Sequence, residues 1–243
     1  LRSTIIGESL ARLFEFLGYD VLRLNHIGDW GTQFGMLITY LKEEHPEVLA
    51  KGVDASLSDL MEWYRAAKKR FDEDSDFKGR SQEQVVALQG GEERALAAWE
   101  KICAISRVGF QEIYDLLDVS MEVRGESFYN PMLPEIIEDM RRAELSEISE
   151  GAECVFMDGF LTKEKTPLPM IIKKADGGYN YSTTDLAALK QRVQIESAER
   201  IIYVVDMGQR LHFQMVFSAA KLAKYSERCC AWAECKLASF LWN

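Results

Sequence analysis

The sequence predicts an α/β protein in which a doubly wound parallel sheet is interrupted by a largely helical insertion. Three observations support this. Strand-like runs at Val21–Asn25 and Arg200–Val205 each lead through a glycine-bearing turn into helical periodicity, as in βα units. The stretch between Pro46 and about Tyr129 reads as helix almost throughout. A chain of 243 residues, 47% of them hydrophobic, can bury one large core or two modest ones.

Ile6, Leu10, Leu13, Phe14 and Leu17 recur at helical spacing, and Gly18 follows as a C-terminal cap, which predicts a first helix over Arg2–Leu17. Gly28–Gly31 makes a tight turn and Thr32–Lys42 resumes the helical period. In the insertion, Leu96, Trp99, Ile102, Ser106, Phe110, Ile113 and Leu117 form one stripe of a long helix, and Gly90-Gly91 breaks the helical stretch before it. Pro131 and Pro134 suit a loop and a helix start, with a helix to about Leu145. Strands follow at Cys154–Met157 and Met170–Lys174, Gly177-Gly178 turns the chain, and helices occupy Ser182–Ile195 and Gly208–Lys224.

Composition excludes several classes. The longest strand-like apolar run, Ile201–Val205, lies between Arg200 and Asp206 and is far short of the roughly 18 residues that cross a bilayer. No secretory or transit-like leader is visible, so the cytoplasm is the expected location. Five cysteines at irregular spacing argue against a disulfide framework. Cys103 and Cys154 read as small buried hydrophobes, and Cys229, Cys230 and Cys235 lack the spacing of a zinc site. A net charge of −10 gives no general attraction to nucleic acid. The basic clusters Lys68–Arg70 and Arg141-Arg142 are flanked by acids and read equally well as solvated helix faces. The phosphate-loop, zinc-helix and nucleophile-elbow signatures are all missing.

Candidate chemistry gathers at strand-to-helix junctions, Asn25–Gly31 and Asp206–Gln209, where helix N-termini favour anionic ligands. Tyr181 and Asp185 stand four apart at a helix start, a geometry in which a carboxylate receives a planar guanidinium beside an aromatic ring. The same residues also permit a Ser182-x-x-Asp185 capping box, with Asp185 satisfying backbone donors only. His212 sits on the first turns of the last helix, where a solvent-facing or core-satisfied histidine is the ordinary case. His26 and His45 read in the same way, and Trp30 and Phe34 read as packing anchors.

Taken in order, NHIGDWGTQFG (Asn25–Gly35), NYSTTD (Asn180–Asp185) and DMGQRLHF (Asp206–Phe213) resemble the class I arginyl-tRNA synthetases over roughly Leu1–Tyr225. The resemblance implies a Rossmann-like class I catalytic core. Residues 1–45 and 131–225 would be its two halves, 46–130 the helical insertion and 226–243 an unmatched tail. It also implies ATP-dependent activation of L-arginine, with Mg2+ accompanying the ATP, and transfer of the arginyl group to tRNA(Arg), with other synthetases as conceivable complex partners. Residues matching the family's arginine site are Tyr181, Asp185 and Gln209, and those matching its nucleotide side are Gly208 and His212.

The same resemblance places the family's HIGH segment before Leu1 and its KMSK-type loop and anticodon-binding domain downstream. The expectation is therefore an incomplete core with an unpaired sheet edge, poor solubility and little activity by itself. The contrasting expectation is a non-catalytic fragment that binds nucleotide or a synthetase complex, or that has no function.

Overall fold

The computed structural model describes residues 2–50 and 55–225. The chain forms two compact units, Leu1–Leu22 with Phe128–Asn243, and Arg23–Ser127. The expected tail, 226–243, lies outside the described residues.

The Arg23–Ser127 unit is a helical assembly with one short parallel strand pair. Its helices are α2 (Thr32–Glu44), α3 (Leu57–Glu73), α4 (Ser75–Gln89) and α5 (Glu93–Leu116). Strand β1 (Leu24–Asn25) pairs in parallel with β2 (Glu122–Val123). Ser56 and Asp59 close a reciprocal capping box on α3, and Asp74 caps α4, each cap worth about 1 kcal/mol. Gly91, at φ 78°, supplies the left-handed turn between α4 and α5. Leu37, Ile38, Leu41, Leu60, Leu88 and Ile102 form the centre of the core, flanked by Trp30, Trp63 and Trp99.

The buried residues of α5 are Ala95, Ala98, Ile102, Cys103, Ile105 and Gly109, a face displaced from the stripe that bulk alone suggests. Small residues face inward because the helices approach closely: a Cβ on Gly109 would overlap the Leu57 side chain. Leu96 and Trp99 flank this seam half-buried. The α2–α4 crossing is tighter still, since a Cβ on Gly35 would overlap Val85 and the Ser81 carbonyl.

The other unit contains α1 (Arg2–Phe16), α6 (Leu133–Arg142), β3 (Ser146–Ser149), β4 (Ala152–Val155), β5 (Met170–Lys173), α7 (Tyr181–Gln194) and α8 (Arg210–Leu222). Gly18, at φ 88°, ends the first helix as expected. β3, β4 and β5 form a three-stranded antiparallel sheet in that order. The α/β class expected from sequence is the one found, but among the described residues parallel pairing is confined to β1 and β2. The core joins Ile136, Ile137 and Met140 of α6 to Val155, Ile172, Leu186, Leu189, Phe213 and Val216.

Two local differences from the sequence reading have physical causes. β3 is an exposed edge whose Ile148 is 70% accessible, so it carries no apolar alternation. It is held by a two-residue turn, Glu150-Gly151, with φ of 50° and 79°, the left-handed pair that suits a tight hairpin. Over 200–205 no strand forms; Tyr203 alone makes a bridge, and Ile201 and Val205 serve as packing against the core.

α6 is clamped to the hairpin by Arg141, which donates to both oxygens of Glu153 at 2.8 and 2.7 Å, while Ser146 donates to the same carboxylate at 2.9 Å. Burial opposes the charge on Glu153, but the hydrogen bonds from Arg141 and Ser146, with the Arg141 charge, outweigh it and hold the carboxyl below its usual range.

Gly35→Ala is expected to destabilise the chain by about 1–3 kcal/mol in urea unfolding, because backbone as well as side chain blocks the new methyl. A depressed carboxyl gives stability that is present above the unfolded value, about 4.3, and lost as pH falls through the folded one. Glu153→Gln should therefore lower the unfolding midpoint near neutral pH, and the gap from the parent should narrow as pH falls below the unfolded value, about 4.3.

Candidate functional site

α7 presents the candidate arginine residues. Asn180 caps it, accepting from the Tyr181 amide at 2.9 Å while its own amide donates to the Ile171 carbonyl at 3.2 Å. The Thr183 hydroxyl donates to the Ile172 carbonyl, so the first turn is fastened to β5 from two sides. Every residue from Ser182 to Leu189 is buried, which the small side chains Ser, Thr and Ala permit on a helix packed all round.

This arrangement removes the capping-box reading of Asp185. The cap is Asn180, and the Asp185 side chain reaches instead across to α8, where its Oδ2 lies 2.6 Å from His212 Nε2. Asp185 is 8% exposed, and the Tyr181 ring packs edge-on against the His212 imidazole at 4.8 Å. Tyr181 itself is 56% exposed, leaving its ring available beside the buried carboxylate. The structure thus brings Tyr181, Asp185 and His212 into one cluster.

Gly208 and Gln209 stand on a short 3-10 turn, Met207–Gln209, that leads into α8. Asp206 caps this turn: its carboxylate accepts from the Gly208 amide at 2.8 Å, and its carbonyl accepts from the Gln209 amide at 3.0 Å. Among the described interactions, the exposed Gln209 side chain makes no hydrogen bond to the Tyr181–Asp185–His212 cluster.

A second layer behind Asp185 was not singled out from sequence. Arg192, two turns further along α7, is 7% exposed and lies 5.2 Å over the Tyr203 ring, with Tyr129 Oη 3.5 Å from its Nη2. Burial works against the guanidinium charge, yet Tyr203, Tyr129 and Asp185 together raise its pKa. Tyr203 in turn packs on Phe213 at 4.6 Å, and Phe213 on His212 at 5.0 Å. The available sequence signal was a buried-helix position seven after Asp185, hence on the same face.

In the helical unit, the GDWGTQFG turn is organised by Asp29. Its buried carboxylate accepts from the Ser127 amide at 2.8 Å and hydroxyl at 2.7 Å, and its carbonyl accepts from the Trp99 indole at 2.6 Å. Trp30 meets Trp99 edge-on at 5.5 Å. Gly125 is required beside it, because a Cβ there would overlap the Asp29 carboxylate. Burial, then the nearby Asp29 charge, pushes the Cys103 thiol up to about 12, and burial also raises Cys154, so neither thiol is nucleophilic near neutral pH.

Among the described residues no group of three or more His, Cys, Asp or Glu side chains could hold a metal ion. No helix among them is long and apolar enough to cross a membrane.

With this geometry in view, comparison with known proteins is informative. A family model described as "tRNA synthetases class I (R), catalytic domain" matches residues 1–234. The chain belongs to this family, the class I arginyl-tRNA synthetases. The match runs past Tyr225, where the sequence resemblance was expected to end.

The chain is 57% identical over 225 residues to the arginine–tRNA ligase of Protochlamydia amoebophila, covering 93% of this chain and 38% of that protein. It is also 57% identical over 223 residues to the arginine–tRNA ligase of Trichodesmium erythraeum, covering 92% and 38%. Arginyl-tRNA synthetase from Plasmodium falciparum superposes with a TM-score of 0.82 at 36% identity, covering 98% of this chain and 39% of that one. The Thermus thermophilus enzyme, with a TM-score of 0.69 at 18% identity, shares the fold, over 98% of this chain and 44% of that one. The chain therefore spans about 38% of the length of the curated relatives it matches.

Gly125→Ala and Asp29→Ala should each destabilise the chain by about 1–3 kcal/mol in chemical unfolding. The double variant should lose little more than Asp29→Ala alone, since the new methyl then meets no carboxylate.

Proposed function

We propose that the chain carries the arginine-binding part of an arginine–tRNA ligase that activates L-arginine with ATP and transfers the arginyl group to tRNA(Arg). The observation that carries this reading is the buried Asp185 carboxylate at the start of α7, flanked by the exposed Tyr181 ring. A buried carboxylate discriminates strongly for a cation, and a guanidinium offers paired N–H donors that match its two oxygens while its flat face packs on an aromatic ring. Lysine shares the charge but neither the fork nor the plane. Gln209, on the turn entering α8, would hold the polar groups of the amino acid, and Gly208 would lie on the nucleotide side.

Activation joins the arginine carboxylate to the α-phosphate of ATP and releases pyrophosphate, and the arginyl group then passes to the terminal ribose of the tRNA. The contribution of these residues is orientation: they fix the substrate's far end so that its carboxylate meets the nucleotide. Mg2+ would enter with the ATP phosphates, held chiefly by them, since among the described residues no group of side chains forms a metal cage. We read 46–130 as an insertion in this core and the cytoplasm as its location. Contact with other synthetases remains part of the same proposal.

The test is arginine-dependent ATP–pyrophosphate exchange with tRNA(Arg) present, on the 243-residue chain and on a chain extended to the length of its relatives. Exchange in the extended chain that falls by about 100-fold or more in Asp185→Ala, with circular dichroism unchanged, supports the reading. Exchange without arginine dependence in either chain, or an unaffected Asp185→Ala variant, contradicts it.

A further inference from the structure

We infer that His212 is the positioning residue of the arginine site, acting on Asp185 and not on the nucleotide. This rests on the reading of Asp185 given above. The imidazole reaches the carboxylate from a different helix: Asp185 projects from α7, His212 from α8, and Nε2 and Oδ2 are 2.6 Å apart. A carboxylate oxygen only accepts, so Nε2 carries the proton in this contact. The ring is fixed from two further directions, by Tyr181 at 4.8 Å and Phe213 at 5.0 Å. Neither partner can turn without breaking a packed contact, so the carboxylate is held in one orientation before any ligand arrives. An ionised carboxylate accepts about four hydrogen bonds, so a guanidinium can join this pair without displacing the imidazole.

The pair sits among packed side chains of both helices. The groups around His212 are Asp185 and Tyr181 on α7, Phe213 on its own helix, and Tyr203 behind Phe213, with Arg192 stacked on Tyr203. Asp185 already compensates the buried Arg192 guanidinium in part.

Isothermal titration of the full chain with L-arginine, and separately with ATP, tests this in the parent, His212→Phe, His212→Gln and Asp185→Ala. Phe keeps the ring without a donor, and Gln keeps a donor without a titratable ring. The expected results are a loss of arginine affinity of about tenfold or more in His212→Phe with ATP affinity unchanged, and recovery of most of that affinity in His212→Gln. Arginine binding by His212→Phe equal to the parent's, a loss of ATP affinity instead, or no recovery in His212→Gln overturns the inference alone. A parent that binds no arginine, or an Asp185→Ala variant that binds it normally, overturns the functional reading as well.

Discussion

A carboxylate buried in the opening turns of a helix has lost its water and must be met by positive charge or donated hydrogen bonds. Asp185 is in that position, and the surrounding segments supply its partners. α8 is placed to bring His212 across to it, and Tyr203 and Phe213 fill the space behind. Arg192 contributes a cation from the same face of α7. The cost of burying these groups, several kcal/mol per ion before pairing, is one that a purely structural core would avoid with apolar side chains. That cost supports the proposal that the cluster is a site.

The helical unit follows a different logic. Its GDWG turn is the longest recognisable stretch of the sequence, yet Asp29 spends its carboxylate on Ser127 and its carbonyl on Trp99. Such a turn fixes where α2 begins and how the segment after β2 returns beside it. Gly35 and Gly109 then allow helices to pack closer than any side chain would permit. Conspicuous composition here reflects close packing, and the less conspicuous Asn180–Asp185 segment carries the candidate chemistry.

Much of this was legible in the sequence because the relevant signals are local. The end of α1 at Gly18, the glycine break before α5 and the start of α2 after Gly31 follow from capping and φ preference. The β3–β4 hairpin was not legible, since Glu150-Gly151 is a weak turn signal and β3 is an exposed edge. Ile201–Val205 reads as a strand by composition, but its apolar side chains serve packing without a ladder. Asp185 shows the limit most clearly: the spacing to Ser182 permits a cap, and only the tertiary placement of His212 and Asn180 decides against it. Arg192 was invisible because a charged residue on a helix ordinarily faces water.

The central claim, that the α7–α8 junction around Asp185 recognises a guanidinium, is tested most directly by backbone hydrogen exchange with saturating L-arginine or L-lysine. Arginine should slow exchange over 181–185 and 207–212 while lysine leaves both segments unchanged. Equal protection by lysine, or arginine protection confined to other segments, would contradict the account.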